Sequence, residues 1–142
     1  MANPAAAKQP LTFRVPPRTL KHLKRRAREA GQPQTALAER YIEEGLRMDE
    51  HPVIYFRDGA SGRRPALLGT RLDVADVIET LRQNDKSVER TAAYLELPAD
   101  RIEVCLRYYV DYADEIDEWI DRAHAIAERE EARWRRRGEA LA

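Results

Sequence analysis

Five residues near the start of the chain, Leu11-Thr12-Phe13-Arg14-Val15, alternate apolar and polar side chains. That is the pattern of a strand with one buried and one wet face. Pro16 and Pro17 end it, and a strongly basic stretch begins at once. A strand this short does not persist alone, because its backbone N–H and C=O groups need partners. No second strand pattern lies near enough to close a hairpin on it. The pattern therefore predicts pairing with the same segment of a second copy. In such a ribbon Leu11, Phe13 and Val15 face the protein interior, while Thr12 and Arg14 point outward.

Charge separates this region from the rest. The 142-residue chain is formally neutral, yet residues 1–47 hold ten Lys and Arg against four Asp and Glu. Residues 48–112 hold nine against twelve, and 113–142 six against nine. A basic head on a mildly acidic body predicts a polyanionic partner at one end only. The high charged fraction, 35%, suits small helical modules with wide solvated faces. A single cysteine, Cys105, forms no internal disulfide and fits a reducing cytosol. Residues 1–10 lack the apolar core of a signal peptide, and no apolar run approaches a membrane span. His22, His51 and His124 are far apart in sequence and read as surface residues, so no metal or cofactor is expected.

The fold class expected is mainly α with short β. Residues 1–9 read as a disordered arm. A first helix is expected over about 17–30, with Leu20, Leu23, Ala27 and Ala30 on one face, ended by Gly31-Gln32-Pro33. A second, over about 34–48, has Leu37, Tyr41, Ile42 and Leu46 as its buried stripe, flanked by Ala38 and Gly45. His51-Pro52 reads as a boundary. Val53 to Arg57 reads as a strand, Asp58 to Gly62 as a turn, and Ala66-Leu67-Leu68 as a short second strand. Asp73 caps a helix with Val74, Val77, Ile78 and Leu81 on one face, and Asn84 is expected as its left-handed C-cap. Ser87 caps the next helix; another runs from Ala99 to Tyr112, and a last amphipathic helix from Asp114 to Arg137.

Residues 10–48, strand then helix, turn and helix, resemble the ribbon-helix-helix family, the fold of the Arc, MetJ and CopG repressors. The matching residues are Leu11 to Pro16, then Leu20, Leu23 and Ala27, then Gly31, Leu37 and Ile42. The resemblance implies an intertwined dimer whose ribbon enters the major groove of DNA. Thr12 and Arg14 would then read base edges: Arg forks onto guanine, and Thr takes a base edge or a thymine methyl. The family holds a phosphate at the N-terminus of the second helix, here Gln34, Thr35 and Ala36. Gln32 or Gln34 stands in place of the family's usual serine, and Lys8 adds a phosphate contact from the arm. The basic run Lys21 to Arg28 is mostly a solvated helix face.

Residues 52–117 resemble the small domain of unknown function 433 family. The match lies in Gly62-Arg63-Arg64-Pro65-Ala66-Leu67-Leu68-Gly69-Thr70-Arg71-Leu72-Asp73-Val74, then Leu106-Arg107-Tyr108-Tyr109 and Asp114-Glu115-Ile116-Asp117. Asn84 stands where that family often has Gly, and Glu96-Leu97-Pro98 replaces its Tyr-Pro. The resemblance implies a winged-helix-like three-helix domain over 52–112 and an association with bacterial toxin–antitoxin operons. Its helix-turn-helix pattern either reads DNA or packs a core or an interface; the first turns of the second helix offer Asp100, Arg101 and Glu103 in a net acidic module, which opposes a groove lined by phosphates. Arg63, Arg64 and Arg71 are either a basic wing or turn anchors, with Arg71 the expected anchor.

The tail, residues 113–142, carries Ile116, Trp119, Ile120, Ala123, Ile126, Ala127 and Trp134 along a drifting apolar seam. Trp119 is expected to face the middle domain's core. Trp134, between Arg133 and Arg135-Arg136-Arg137, has little left in the chain to pack against, so a partner's groove is expected for it. The expected toxin-binding set is Trp119, Ile126, Arg133, Trp134, Arg135, Arg136 and Arg137. No nucleophile–base pair, metal set or phosphate loop suggests an enzyme. Together the resemblances imply a cytoplasmic, nucleoid-associated antitoxin similar to the VapB type. It would bind operator DNA as a dimer or higher even oligomer and neutralise a PIN-like ribonuclease toxin. The alternative is a stand-alone ribbon-helix-helix repressor with a regulatory middle domain and no toxin partner.

Overall fold

In the computed structural model of the chain, residues 7–59 and 61–142 are described. Residues 1–6 of the expected arm, and Ala60 of the expected turn, lie outside them. The described residues form six helices and one two-stranded antiparallel sheet. Packing divides the chain into two compact units, one ending at Glu43 and one running from Glu44 to Ala142. The division falls inside the second helix, and each unit is described by itself.

The first unit contains α1 (Pro17–Ala30) and most of α2 (Gln34–Glu50). Pro16 caps α1 and Pro17 opens it, a position where a missing N–H costs nothing. Gly31 ends it at φ 63, and the Gly31 and Gln32 N–H groups donate back to Arg28 and Ala27. This is a Schellman closure, which needs a left-handed residue and so favours glycine. Among the described residues of this unit only Ala27 and Leu37 are buried. Of the two stripes expected to be buried, Leu20, Tyr41 and Ile42 lie on the surface, as does Leu46 further along α2. The segment from Leu11 to Val15 has no regular secondary structure in the single chain. Its strand needs a pairing edge, and the only sheet among the described residues is formed elsewhere. Leu11 and Phe13 are 71% and 60% exposed, which departs from the interior placement expected of them.

The second unit is built around one core. Strands β1 (Ile54–Gly59) and β2 (Gly62–Leu67) pair with Ile54 opposite Leu67 and Gly59 opposite Gly62. Both strands are longer than the sequence suggests, because the turn is confined to the tip. A Cβ at Gly59 would meet the Arg64 guanidinium at 2.5 Å. That group is fixed by its pairing with Asp73, so glycine suits the position. Helices α3 (Val74–Gln83), α4 (Val88–Leu95), α5 (Ala99–Asp111) and α6 (Ala113–Leu141) follow. Ile54 and Leu67 meet Val74, Val77, Ile78 and Leu81 of α3, Ala92 of α4, Ile102, Cys105 and Tyr108 of α5, and Ile116 and Ile120 of α6. The i, i+3, i+4, i+7 spacing on α3 puts all four of its apolar residues on that face.

Local signals set the helix ends. The Asp73 N–H donates to the Asp76 carboxylate at 2.8 Å, and Ser87 Oγ accepts from the Arg90 N–H at 3.1 Å, each holding an N-terminal turn. The expected left-handed cap at Asn84 is not found. Asn84 has φ −109, and Asp85 and Lys86 carry the left-handed backbone instead, at φ 55 and 59. Asn84 uses its amide to donate to the Thr80 carbonyl.

Beyond Ile120, α6 leaves the core. Every residue from Asp121 to Ala142 is exposed except the half-buried Ala132. At 1.5 Å per residue the helix of 29 residues extends about 43 Å. Among the described residues no helix is long and apolar enough to cross a membrane.

Candidate functional site

The first unit presents its candidate DNA-reading residues on open surface. Thr12 and Arg14 are exposed within the Leu11–Val15 segment, and Thr35 is exposed at the start of α2 beside the half-buried Gln34. The Leu37 N–H donates to the Pro33 carbonyl and closes the first turn of α2. Helix geometry leaves the preceding N–H groups pointing outward, with no acidic side chain in that turn. Lys8 is not held in reserve for a phosphate here. Its ammonium pairs with Glu39 at 3.0 Å, an exposed contact that a phosphate can displace.

Two recesses flank these residues. One, of about 840 Å³, is lined by Lys21, Lys24 and Arg28 of α1 and by Gln32 and Gln34 at the turn. The other, of about 420 Å³, is apolar and lined by Phe13, Val15, Leu23, Ala38, Tyr41 and Ile42, among others. It gathers apolar side chains of the Leu11–Val15 segment and of both helices on one open face.

In the second unit two of the three arginines expected as a wing or as anchors, Arg63 and Arg64, are held by acids. Arg57, to which the sequence pattern assigns no role, is the real turn anchor. It donates to Asp73 Oδ1 at 2.6 and 3.0 Å and to the Arg71 carbonyl at 2.7 Å. Arg64 pairs with the other Asp73 oxygen at 3.0 Å. Asp73 is buried, so two guanidinium groups on its carboxylate compensate its desolvation. Thr70 completes the Gly-Thr-Arg turn by donating to the Leu67 carbonyl and accepting from the Leu72 N–H. Arg63 forks onto the buried Glu44 at 2.8 to 3.2 Å. Arg71, expected as the anchor, contributes its carbonyl while its side chain stays exposed.

A second polar set holds the end of α2 to α5 and α6. Arg47 donates to the Tyr108 hydroxyl at 3.0 Å and to both Glu115 oxygens at 2.8 and 2.9 Å. It also lies 3.9 Å from the Tyr112 ring centre. Arg47 holds the Glu115 carboxyl below its ordinary range, while burial pushes the Tyr108 hydroxyl up to about 12. Arg82, Tyr109 and Asp117 form a parallel cluster, in which Arg82 and Tyr109 lower the Asp117 carboxyl.

His51 departs from the surface placement expected of it. It is buried, edge-on to the rings of Tyr108 and Tyr112 at 5.1 and 6.0 Å. Its Nε2 lies 2.8 Å from Asp111 Oδ2, with Glu50 beside them. Sequence spacing could not find this group, because sixty residues separate His51 from Asp111.

The residues proposed for a partner on the last helix divide. Trp119 is half-buried against the core, as expected, and so is less available than the others. Ile126 and Trp134 lie on the surface, Trp134 at 69% exposure. Arg133 pairs with Glu130 and Arg135 with Glu131 along the helix, and Arg137 lies 5.4 Å from the Trp134 ring centre. Arg136 is exposed. Ile116, Ile120, Ala123 and Ala127 follow a four–three spacing, and Trp134 and Leu141 extend the face at seven-residue steps, with Glu130 and Arg137 at the positions between. Comparison with protein-family models, with curated proteins and with solved structures finds no match to this chain.

Proposed function

We propose that the chain is an antitoxin of a type II toxin–antitoxin system. Its first unit pairs with a second copy into a ribbon-helix-helix dimer that binds operator DNA and represses its own operon. Its last helix binds and neutralises a PIN-like ribonuclease toxin, and the protein works in the cytoplasm at the nucleoid. The observation that carries the reading is the alternation at Leu11 to Val15, left open in a unit with only two buried side chains among its described residues. Three apolar residues there lack cover, and pairing the segment with its copy would satisfy the backbone and cover them together. Thr12 and Arg14 then face the base edges, beside a basic helix. In the middle domain, proposed as winged-helix-like, two of the three wing arginines, Arg63 and Arg64, are held by Glu44 and Asp73. Asp100 opens α5 with a negative charge, so DNA contact is assigned to the first unit.

A gel-shift on the protein's own promoter tests the reading. Arg14→Ala with Thr12→Ala should weaken specific binding by about 1–3 kcal/mol for each base-reading side chain removed, while leaving salt-dependent non-specific binding in place. Unchanged specific binding by the double variant refutes ribbon readout. Removing residues 132–142 should abolish neutralisation of a co-expressed nuclease encoded beside the gene, and full protection by the truncated chain refutes the role of the last helix.

A further inference from the structure

Two helices of the chain end at one place in the second unit. α2 closes on Glu50 and α5 on Asp111, and His51 follows α2 directly. A helix C-terminus carries the equivalent of about half a negative charge. Two such ends and two carboxylates therefore concentrate negative potential around one imidazole. The donor atoms of Glu50, His51 and Asp111 all lie within 4.8 Å of one another.

The imidazole is held in place rather than free to turn. Tyr108 and Tyr112 pack edge-on against it. Its backbone N–H donates to the Arg47 carbonyl at 2.8 Å and its carbonyl accepts from the Ile54 N–H at 3.1 Å. Val53, two residues on, is held at φ 78, a conformation that β-branched residues rarely adopt. Backbone strain of this kind persists only where surrounding structure over-determines it. The two carboxylates, by contrast, belong to exposed residues and can adjust. A recess of about 350 Å³ opens beside the three donors, lined by Pro52, Val104, Arg107 and Val110.

We propose that Glu50, His51 and Asp111 bind one divalent transition-metal ion of the zinc class, with its fourth position open to water from this recess. Zinc takes imidazole nitrogen and carboxylate oxygen at about 2.0–2.2 Å in tetrahedral geometry, which sets neighbouring donors roughly 3.3–3.6 Å apart. The 2.8 Å His51–Asp111 contact then opens slightly and the Glu50 carboxylate closes in. Magnesium prefers six oxygens in an octahedron, so a mixed set with one imidazole selects against it. Arg107, the one cation lining the recess among the described residues, favours water, hydroxide or another anion as the fourth ligand. Bound there, the ion ties the end of α2 to the end of α5 and stabilises the folded unit.

Native mass spectrometry of the chelator-stripped full-length chain, titrated with zinc and separately with magnesium, tests the site. One zinc ion per chain is expected, with a rise in melting temperature that magnesium does not produce. Glu50→Gln and Asp111→Asn change exposed residues and should fold; each is expected to weaken zinc binding at least about tenfold. The double variant His22→Gln/His124→Gln should bind as the parent does. The proposal is overturned if the parent takes up no zinc and the His51–Asp111 contact is an ion pair only. It is equally overturned if the carboxylate variants bind as tightly as the parent, or if the His22/His124 variant loses the ion.

Discussion

The two units place apolar side chains in opposite ways. In the second, residues from both strands and four helices close on one another, and Ile102, Cys105 and Tyr108 reach no solvent at all. In the first, Leu11, Phe13, Leu20, Tyr41 and Ile42 stay on the surface around two buried residues. Some of the charged residues follow the same division. Arg47, Arg57, Arg63 and Arg64 of the second unit are held by carboxylates, while Arg14, Lys21 and Lys24 of the first are exposed. The second unit has a closed core of its own, although Ile126 and Trp134 of its last helix lie on the surface. A unit that leaves an apolar face and a basic face open is suited to two partners of different chemistry, one apolar and one anionic.

The sharpest way to break this contrast is to empty each unit in turn. Ile102→Ala should destabilise the second unit by about 2–5 kcal/mol, the cost of a cavity in a closed core, read by urea denaturation. Leu20→Ala, on the open face, should change the stability of the isolated chain by no more than about 0.5 kcal/mol. Comparable destabilisation in the two variants would show that the first unit is closed as well. Next in size, Phe13→Ala should weaken self-association by about 1.5–3 kcal/mol per chain, the worth of burying that ring. Sedimentation equilibrium measures it, and the urea midpoint of the second unit should not move. A chain that is monomeric before and after the change removes the apolar partner from the comparison.

Arg47→Ala should cost about 1–3 kcal/mol, because the buried Tyr108 hydroxyl loses its donor. The smallest effect is a pH dependence. Arg47 holds the Glu115 carboxyl below its ordinary value of 4.5, so the unfolded chain binds this proton more readily than the folded one. The stabilisation is complete above pH 4.5 and fades as the pH falls through the lowered folded value. Glu115 is more than half exposed, so the pair should contribute less than about 1 kcal/mol. Glu115→Gln should remove that part of the acid sensitivity in thermal melts taken between neutral and acid pH.

What could be read in advance was local. Pro17, Gly31, Asp73 and Ser87 mark helix ends through backbone chemistry that depends on a few neighbours; α1, α3 and α5 begin and end where expected to within a residue, and α4 begins where expected. Asn84 shows the limit even there, since two successive residues after it, not Asn84 itself, take the left-handed turn. The apolar stripe of α1 was legible as a face, but periodicity says which side is apolar and not what covers it. Only Ala27 of that stripe is buried in the single chain. The partners of Arg57, Glu44 and His51 were not legible at all. Each lies on another element, and a lone charged residue in a sequence carries no mark of the residue that will face it.

Cys105 offers a use for the closed core. It is the only thiol in the chain, it has no exposure, and burial pushes its ionisation up to about 12. A thiol so placed reacts with an alkylating reagent only when the structure around it opens. Its labelling rate is thus a built-in clock for the breathing of the second unit, readable by mass without any introduced probe. Where reclosing outpaces labelling, the clock reports the free energy of opening; at high reagent concentration it reports the opening rate itself.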